Sequence, residues 1–413
     1  VKKAFLWILM VILFTLLLVG GTIGVFYWKA ASASLPEDEV SFGGVSVGQP
    51  VGYQWDMPVF WGAYDRRFEE SPSLSVEKLG TLTEASPALT LPDWVAKSQL
   101  TLTDESGKTV FEGSAEEYEE FAFEANGLYT AVLKIWHDMP DERPARPQGW
   151  YQYSFRFTLN AAPQITLSKE SAAQGSVVGV KLTGVLGSET PLGECDLGSI
   201  WFCRSGSEWV GYLPVAYNAE AGMHTLTVTS GGTTLTQEIE VYQKEFDRVD
   251  VSGQEEEELP AGAAEEYRRL IWPFYSEGSL EKQWLGAFSQ PVKGTTLQDY
   301  GAYLVDEDST TRASDLILEV EAGQEVVMPS DGTILFAGEL LLGGNTVVID
   351  HGCGLKTYIS GLGAIYVTQG QSLLQNEALG EAGEENIVIE MRIGNKSIDP
   401  WDAWRGNGGL FYR

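Results

Sequence analysis

Residues Ala4 to Trp28, AFLWILMVILFTLLLVGGTIGVFYW, contain no charged side chain. In hydrocarbon, every backbone N–H and C=O of such a run must be satisfied within the segment, so it has to be helical. At about 1.5 Å per residue it more than spans a core of roughly 30 Å. Residues 1–29 therefore read as one transmembrane anchor. A cleaved signal peptide competes, because Ala31-Ser32-Ala33 is a small-residue site, although signal cores run to only about 7–15 residues. Lys2 and Lys3 flank one end and acid-rich chain follows the other. The positive-inside bias then expects a single-pass protein of the cell membrane, its N-terminus cytoplasmic and its bulk extracytoplasmic, with Tyr27 and Trp28 at the outer interface.

The first thirty residues hold three lysines and no acid, which leaves 24 basic against 58 acidic side chains in the rest. That balance excludes nucleic acid, which needs a basic footprint, and offers no Lys/Arg cluster along the chain for anionic lipid. The acidity suits solubility in an exposed compartment. Glu255 to Glu258 form a run without the spacing of oxygen ligands in a calcium loop, so they read as solvated charge.

Beyond a small acidic tether, the pattern changes to period two. LTLTDESGKTVFEG makes a hairpin around Glu105-Ser106-Gly107, and WYQYSFRFTL places Tyr151, Tyr153, Phe155, Phe157 and Leu159 on one face of a half-buried sheet. Pro163 opens a second set of short strands, among them the pair HTLTVTSGGTTLTQEIEV joined at Ser230-Gly231-Gly232. The expectation is a mainly β protein with two immunoglobulin-like β-sandwich modules, 40–160 and 161–245. An acidic and helical linker, 246–285, follows, with AGAAEEYRRLIWPF a short helix stopped by Pro273. Of the three cysteines, Cys195 and Cys203 lie eight residues apart and could close a local bridge in an oxidising compartment, leaving Cys353 over as a small half-buried residue.

From 286 to 404 the segments GAFSQPVKGTTLQDYG, AGQEVVMPSDGTILFAG, GNTVVIDHGCGLKTYISGL, VTQGQSLLQNEALGEAG and NIVIEMRIGNKSIDP occur in that order, with glycine between apolar-alternating pieces. In that order and punctuation they resemble the antiparallel β-sheet core of LytM/lysostaphin-type zinc metalloendopeptidases, which cut peptidoglycan. The resemblance implies a metal held by the His and Asp of an HxxxD motif and by the second His of an HxH motif. The first His of HxH, with one from a YxH motif, assists the bound water. Imidazole and carboxylate are good zinc donors, and three of them leave a fourth position for a water whose pKa falls to about 7.

Here the motifs are degenerate. In TRASD, Thr311 stands where the ligand His is expected and Asp315 where the Asp is. The segment after it is two residues longer than the family spacing, and a shifted alignment loses Asp315 as well. The YxH position falls on Ser360 or Gly361, depending on whether Tyr358 or Leu362 is the anchor. Counting back from Asp399-Pro400 puts Asn386 and Val388 on HxH, with Glu390 next on the same face. The chain has only three histidines, and His351 alone lies in this module. Catalytic residues, metal ligands and a cofactor are therefore not expected. The expected role is that of a membrane-anchored, non-catalytic scaffold or regulator whose cleft takes an envelope protein partner or a peptidoglycan peptide by strand addition. The alternative is an active zinc endopeptidase. Degenerate relatives with this layout in endospore-forming bacteria leave a sporulation context open.

Overall fold

A computed structural model describes residues 2–31, 39–59, 64–137, 147–206, 208–253, 259–384 and 386–412. The cleavage-site residues Ser32 and Ala33, most of the tether and the run Glu255 to Glu258 lie outside the described residues. The chain divides into two compact units, to Ala162 and from Pro163.

The first unit begins with helix α1, Lys2–Ala31, whose stretch Lys3–Trp28 contains an 18-residue window of mean hydropathy 2.6 and is long and apolar enough to cross a membrane. The Oγ1 of Thr15 donates to the Val11 carbonyl at 2.8 Å, and Thr22 bonds back to Leu18 in the same way, so the helix satisfies its own hydroxyls. Seven strands then form one sheet: β1 (Gly52–Val59), β2 (Tyr64–Glu70), β3 (Glu77–Leu82), β4 (Val95–Asp104), β5 (Thr109–Gly113), β6 (Gly127–His137) and β7 (Gln148–Leu159). Their order is β2-β1-β7-β6-β4-β5, with β3 added parallel to β7. Period two holds along β7: Tyr151, Tyr153, Phe155, Phe157 and Leu159 are all buried. Phe155 and Phe157 pack with Phe42, from a three-stranded sheet of very short strands, so the strands divide seven to three.

The second unit joins a sandwich to the C-terminal module. Two four-stranded sheets enclose a core of Val178, Val180, Leu182, Phe202, Leu226 and Ile239. The module is built on β8 (Leu316–Glu319), β9 (Gly332–Leu340), β10 (Gly344–Gly352), β11 (Leu355–Ile365) and β12 (Ile387–Ile393), in the antiparallel order β8-β12-β11-β10-β9. One face carries Leu316, Leu318, Val347, Ile349, Ile359, Ile387 and Ile389 in the main core. A separate apolar cluster joins sandwich to module: Val177, Val210 and Tyr212 from the first meet Trp284, Leu355, Met391 and Ile393 from the second.

The disulfide expectation is corrected here. Cys203 bonds to Cys353, 150 residues away, and Cys195 is a free, half-buried thiol, pushed up to about 11 by burial. The pairing follows from packing: Cys203 faces the joint between sandwich and module, whereas Cys195 packs against the sandwich core. We expect the Cys203→Ser/Cys353→Ser variant to lose about 2–5 kcal/mol, because the bond closes a long loop. Urea unfolding with and without reductant checks this, and reductant should leave the variant unchanged.

The segment expected as a linker is also structured. Arg248–Asp250 pairs parallel with Tyr303–Val305, and helix α2 (Ala263–Leu270) is followed by a 3-10 turn, Trp272–Tyr275, that contains Pro273. Pro273 does not stop the chain's helical course abruptly but starts this tighter turn, where its missing N–H costs nothing.

Candidate functional site

On β12 the side chains alternate between the core and the opposite face, so Val388, Glu390 and Arg392 share the half-buried face. Register sets their neighbours. Val388 lies opposite Ile317 on β8 and Ser360 on β11. The next row runs Phe336, Val348, Tyr358 and Glu390 across β9, β10, β11 and β12. Asp315 sits just before β8, where Leu316 pairs with Ile389, and so belongs with the Glu390 row and not with Val388. Thr311 is elsewhere, exposed on a strand of the separate three-stranded sheet. Gly361 has φ +84, and a Cβ there would collide with the Asn386 carbonyl. It is a close-approach position, which makes Ser360 the cleft residue of β11. The Ser360 hydroxyl lies 3.0 Å from that of Thr346, and Asn386 is exposed at the strand's start.

The Glu390 row is covered. Ile271 is fully buried against Leu340, Val348 and Tyr358, with Tyr267, Leu270, Phe274 and Tyr275 packed around them. The backbone N–H of Leu341 donates to Glu266 at 2.7 Å, tying α2 to the end of β9. Beneath this cover Arg392 and Glu390 form an ion pair at 3.3 Å, and the Arg392 guanidinium lies 4.5 Å from the Tyr275 ring. Burial, opposed by Arg392 and reinforced by Asp315, pushes the Glu390 carboxyl up to about 7. Burial likewise raises Asp315, whose carboxylate accepts from Gln298 Nε2 at 2.7 Å. The cleft continues past the cover into an open cavity of about 300 Å³ lined by Glu339, Gly343, Asn345, Gly361, Gly383 and Glu384.

The sequence model of Peptidase family M23 matches residues 313–400. The chain carries an M23 peptidase domain. No curated protein matches significantly. Among solved structures the chain is similar to a peptidase M23 protein from Pseudomonas aeruginosa, at 19% identity and TM-score 0.44 over 58% of this chain and 96% of that one. A second is the SpoIIQ-SpoIIIAH pore forming complex, at 17% identity and TM-score 0.26 over 30% and 93%. The catalytic domain of lysostaphin from Staphylococcus simulans follows at 16% and 0.25 over 27% and 92%. These three values are too low to add to the argument.

Zinc is the metal that the M23 domain implies, and the cleft residues do not suit it. The Val388 row offers an isoleucine, a valine and a serine, with an amide beside it, where a zinc site needs imidazole, thiolate or carboxylate. The match begins at Ala313, four residues before Ile317, so the register favours the shifted alignment in which neither Thr311 nor Asp315 lies in the ligand row. Asp315 and Glu390 are committed to Gln298 and Arg392. Among the described residues no three His, Cys, Asp or Glu side chains converge.

All three histidines are used structurally. His351 is fully buried between the Asp331 carbonyl at 2.8 Å and the Thr357 hydroxyl at 3.0 Å, and burial lowers it to about 4. His224 contacts Asp196 and the Glu220 carbonyl, and His137 the Trp94 carbonyl. Sequence reasoning missed Arg392 and the cover. Arg392 was within reach, because period two puts it on the face of Glu390. The cover was not, because nothing local in α2 says what it packs on.

Proposed function

We propose that this is a membrane-anchored, extracytoplasmic envelope protein whose M23 domain works as a non-catalytic scaffold or binding module for a protein partner or a wall peptide. The observation that carries this is the row Ile317, Val388 and Ser360 at the centre of the cleft face, which cannot hold or activate a metal-bound water. The Cys203–Cys353 bond supports the compartment, since such bonds persist in oxidising spaces outside the cytoplasm. The apolar α1, which begins with Lys2 and Lys3, supports an uncleaved anchor with the bulk of the chain outside. With the Glu390 row covered, a ligand has the Val388 row and the open cavity beside it. Strand addition along the full cleft, as the sequence suggested, has no room under α2.

The test is metal analysis and digestion of purified peptidoglycan by the protein purified without chelator. Zinc well below one per chain and no muropeptide release are expected. One tightly held zinc together with released muropeptides would overturn the proposal and establish the endopeptidase reading.

A further inference from the structure

One end of the first unit's sheet concentrates aromatic and basic side chains that lie far apart in sequence. Trp136, next to the last residue of β6, is opposite Trp150, the third residue of β7, and opposite Lys97, the third residue of β4. The Lys134 ammonium lies 3.9 Å from the Trp150 ring and 5.1 Å from the Trp136 ring, and the Lys97 ammonium 5.3 Å from Trp136. These rings are on the face opposite the core, since Tyr151 and Ile135 between them are buried. Among the described residues no carboxylate pairs with either lysine, whereas the nearby Arg67 is bound in two-pronged fashion to Asp56 at 2.8 and 3.0 Å.

The same end of the sheet meets α1. Helix α1 contacts β1, which ends there, and the Arg66 guanidinium near the start of β2 lies 5.1 Å from the ring of Tyr27 at the helix's outer end. Arg66 pairs with the buried Met57 and so lies on the core face, while Trp136, Trp150, Lys97 and Lys134 lie on the other face at the same end of the sheet. Tryptophan favours the depth where a helix leaves the hydrocarbon, with its ring among the glycerol and headgroup atoms, and lysine extends an apolar stem with an ammonium that binds phosphate. A lysine-over-tryptophan ladder also stabilises an ordinary solvent-facing sheet. Its placement at the end of the sheet that α1 contacts is what that ordinary role leaves unexplained.

We propose that this end of the first unit is a second membrane contact. Trp136 and Trp150 enter the headgroup layer of the leaflet from which α1 emerges, and Lys97 and Lys134 bind lipid phosphates. The contact is short-range, because a chain of net charge −31 is not drawn to an anionic surface from a distance. It rests on the reading of α1 as an uncleaved anchor.

The test uses the full chain in lipid nanodiscs, with Trp7→Phe and Trp28→Phe to silence the helix, leaving eleven of the thirteen tryptophans. Brominated phosphatidylcholine should quench about a fifth of the fluorescence, the share of two tryptophans in eleven, since Trp emission is lost on contact with the brominated lipid. Adding Trp136→Phe and Trp150→Phe should abolish that quenching with near-ultraviolet dichroism otherwise retained, and Lys97→Gln/Lys134→Gln should weaken it. Equal quenching with and without the two tryptophans, or none in either, overturns the proposal. So does quenching by soluble peptidoglycan fragments in place of lipid, which would make the face a glycan platform. Mass analysis of the membrane-extracted chain separates the two failures: a mature N-terminus beyond Ala33 removes the anchor, whereas an intact chain without quenching removes only this contact.

Discussion

Trp284→Ala is expected to destabilise the second unit by about 3–5 kcal/mol, the cost of deleting a buried tryptophan where the surroundings cannot collapse. Trp284 is 1% exposed. Its ring packs 5.1 Å from that of Tyr212 in the sandwich, and its Nε1 donates to the Leu410 carbonyl at 3.0 Å. Three parts of the chain therefore lose contacts at once. Because the cluster is shared, sandwich and module should unfold in one transition in the wild type and in the variant, the latter at lower urea. Two separated transitions in the wild type would show that the shared core does not couple them.

Arg392→Met should cost about 3–5 kcal/mol at pH 8, because it leaves the Glu390 carboxylate buried without its counter-charge. Among the described residues Tyr358 Oη, Arg392 Nε and Arg392 Nη1 have no hydrogen-bond partner, so Arg392 is held to Glu390 chiefly by charge. The deficit depends on pH. An unfolded glutamate releases its proton near 4.5, whereas the folded Glu390 keeps it to about 7. Between those values the folded state binds more protons, so stability falls as pH rises through the window and is level above it. Removing Arg392 raises the folded value further and extends the fall upward above pH 7, so the variant's deficit should be smaller at pH 5 than at pH 8 by about 1.4 kcal/mol, the equivalent of one pH unit. Glu390→Gln/Arg392→Met should remain within about 1 kcal/mol of the wild type throughout, since a buried pair replaced as a whole costs little. Urea midpoints at pH 5, 6.5 and 8 check both; a deficit independent of pH would mean that the lost packing of Arg392 dominates.

Much of the fold was legible because period two is a local property. The buried face of β7, the β4–β5 hairpin and the alternation along β12 follow from side chains two residues apart, and the apolar run of α1 leaves a single option. The degenerate motifs were legible because the chemistry of zinc restricts residue types. What was not legible depends on register and on distant packing. Two extra residues between Asp315 and the following strands leave the alignment open in the sequence, and only the register, with Ile317 opposite Val388, favours the shifted one. The partner of Cys203 is 150 residues away, and the eight-residue spacing to Cys195 pointed to the wrong sulfur because it carries no information about which side of a sheet each thiol faces. The 246–285 segment looks like a linker by composition, yet its apolar residues find their partners only on the finished sheet.

The C-terminal turn Gly409–Phe411 lies against Val177 and Gly179 at the start of the sandwich, so closely that a Cβ on Gly409 would strike the Gly179 backbone. Chain near the beginning of the unit is thus sealed by chain at its end. During synthesis the sandwich cannot complete its packing at Val177 and Gly179 until Gly409–Phe411 has left the ribosome and, for a chain carried across a membrane, the translocation channel as well. Long-range closure of this kind is slow. Until Leu410 arrives, Trp284 lacks the carbonyl that its Nε1 bonds, and an oxidising enzyme that acts before the pair has closed meets three thiols, Cys195 among them. Correct pairing in this protein is therefore a matter of timing: Cys353 follows Cys203 by 150 residues, and until it emerges the thiol at hand for Cys203 is the wrong one, Cys195.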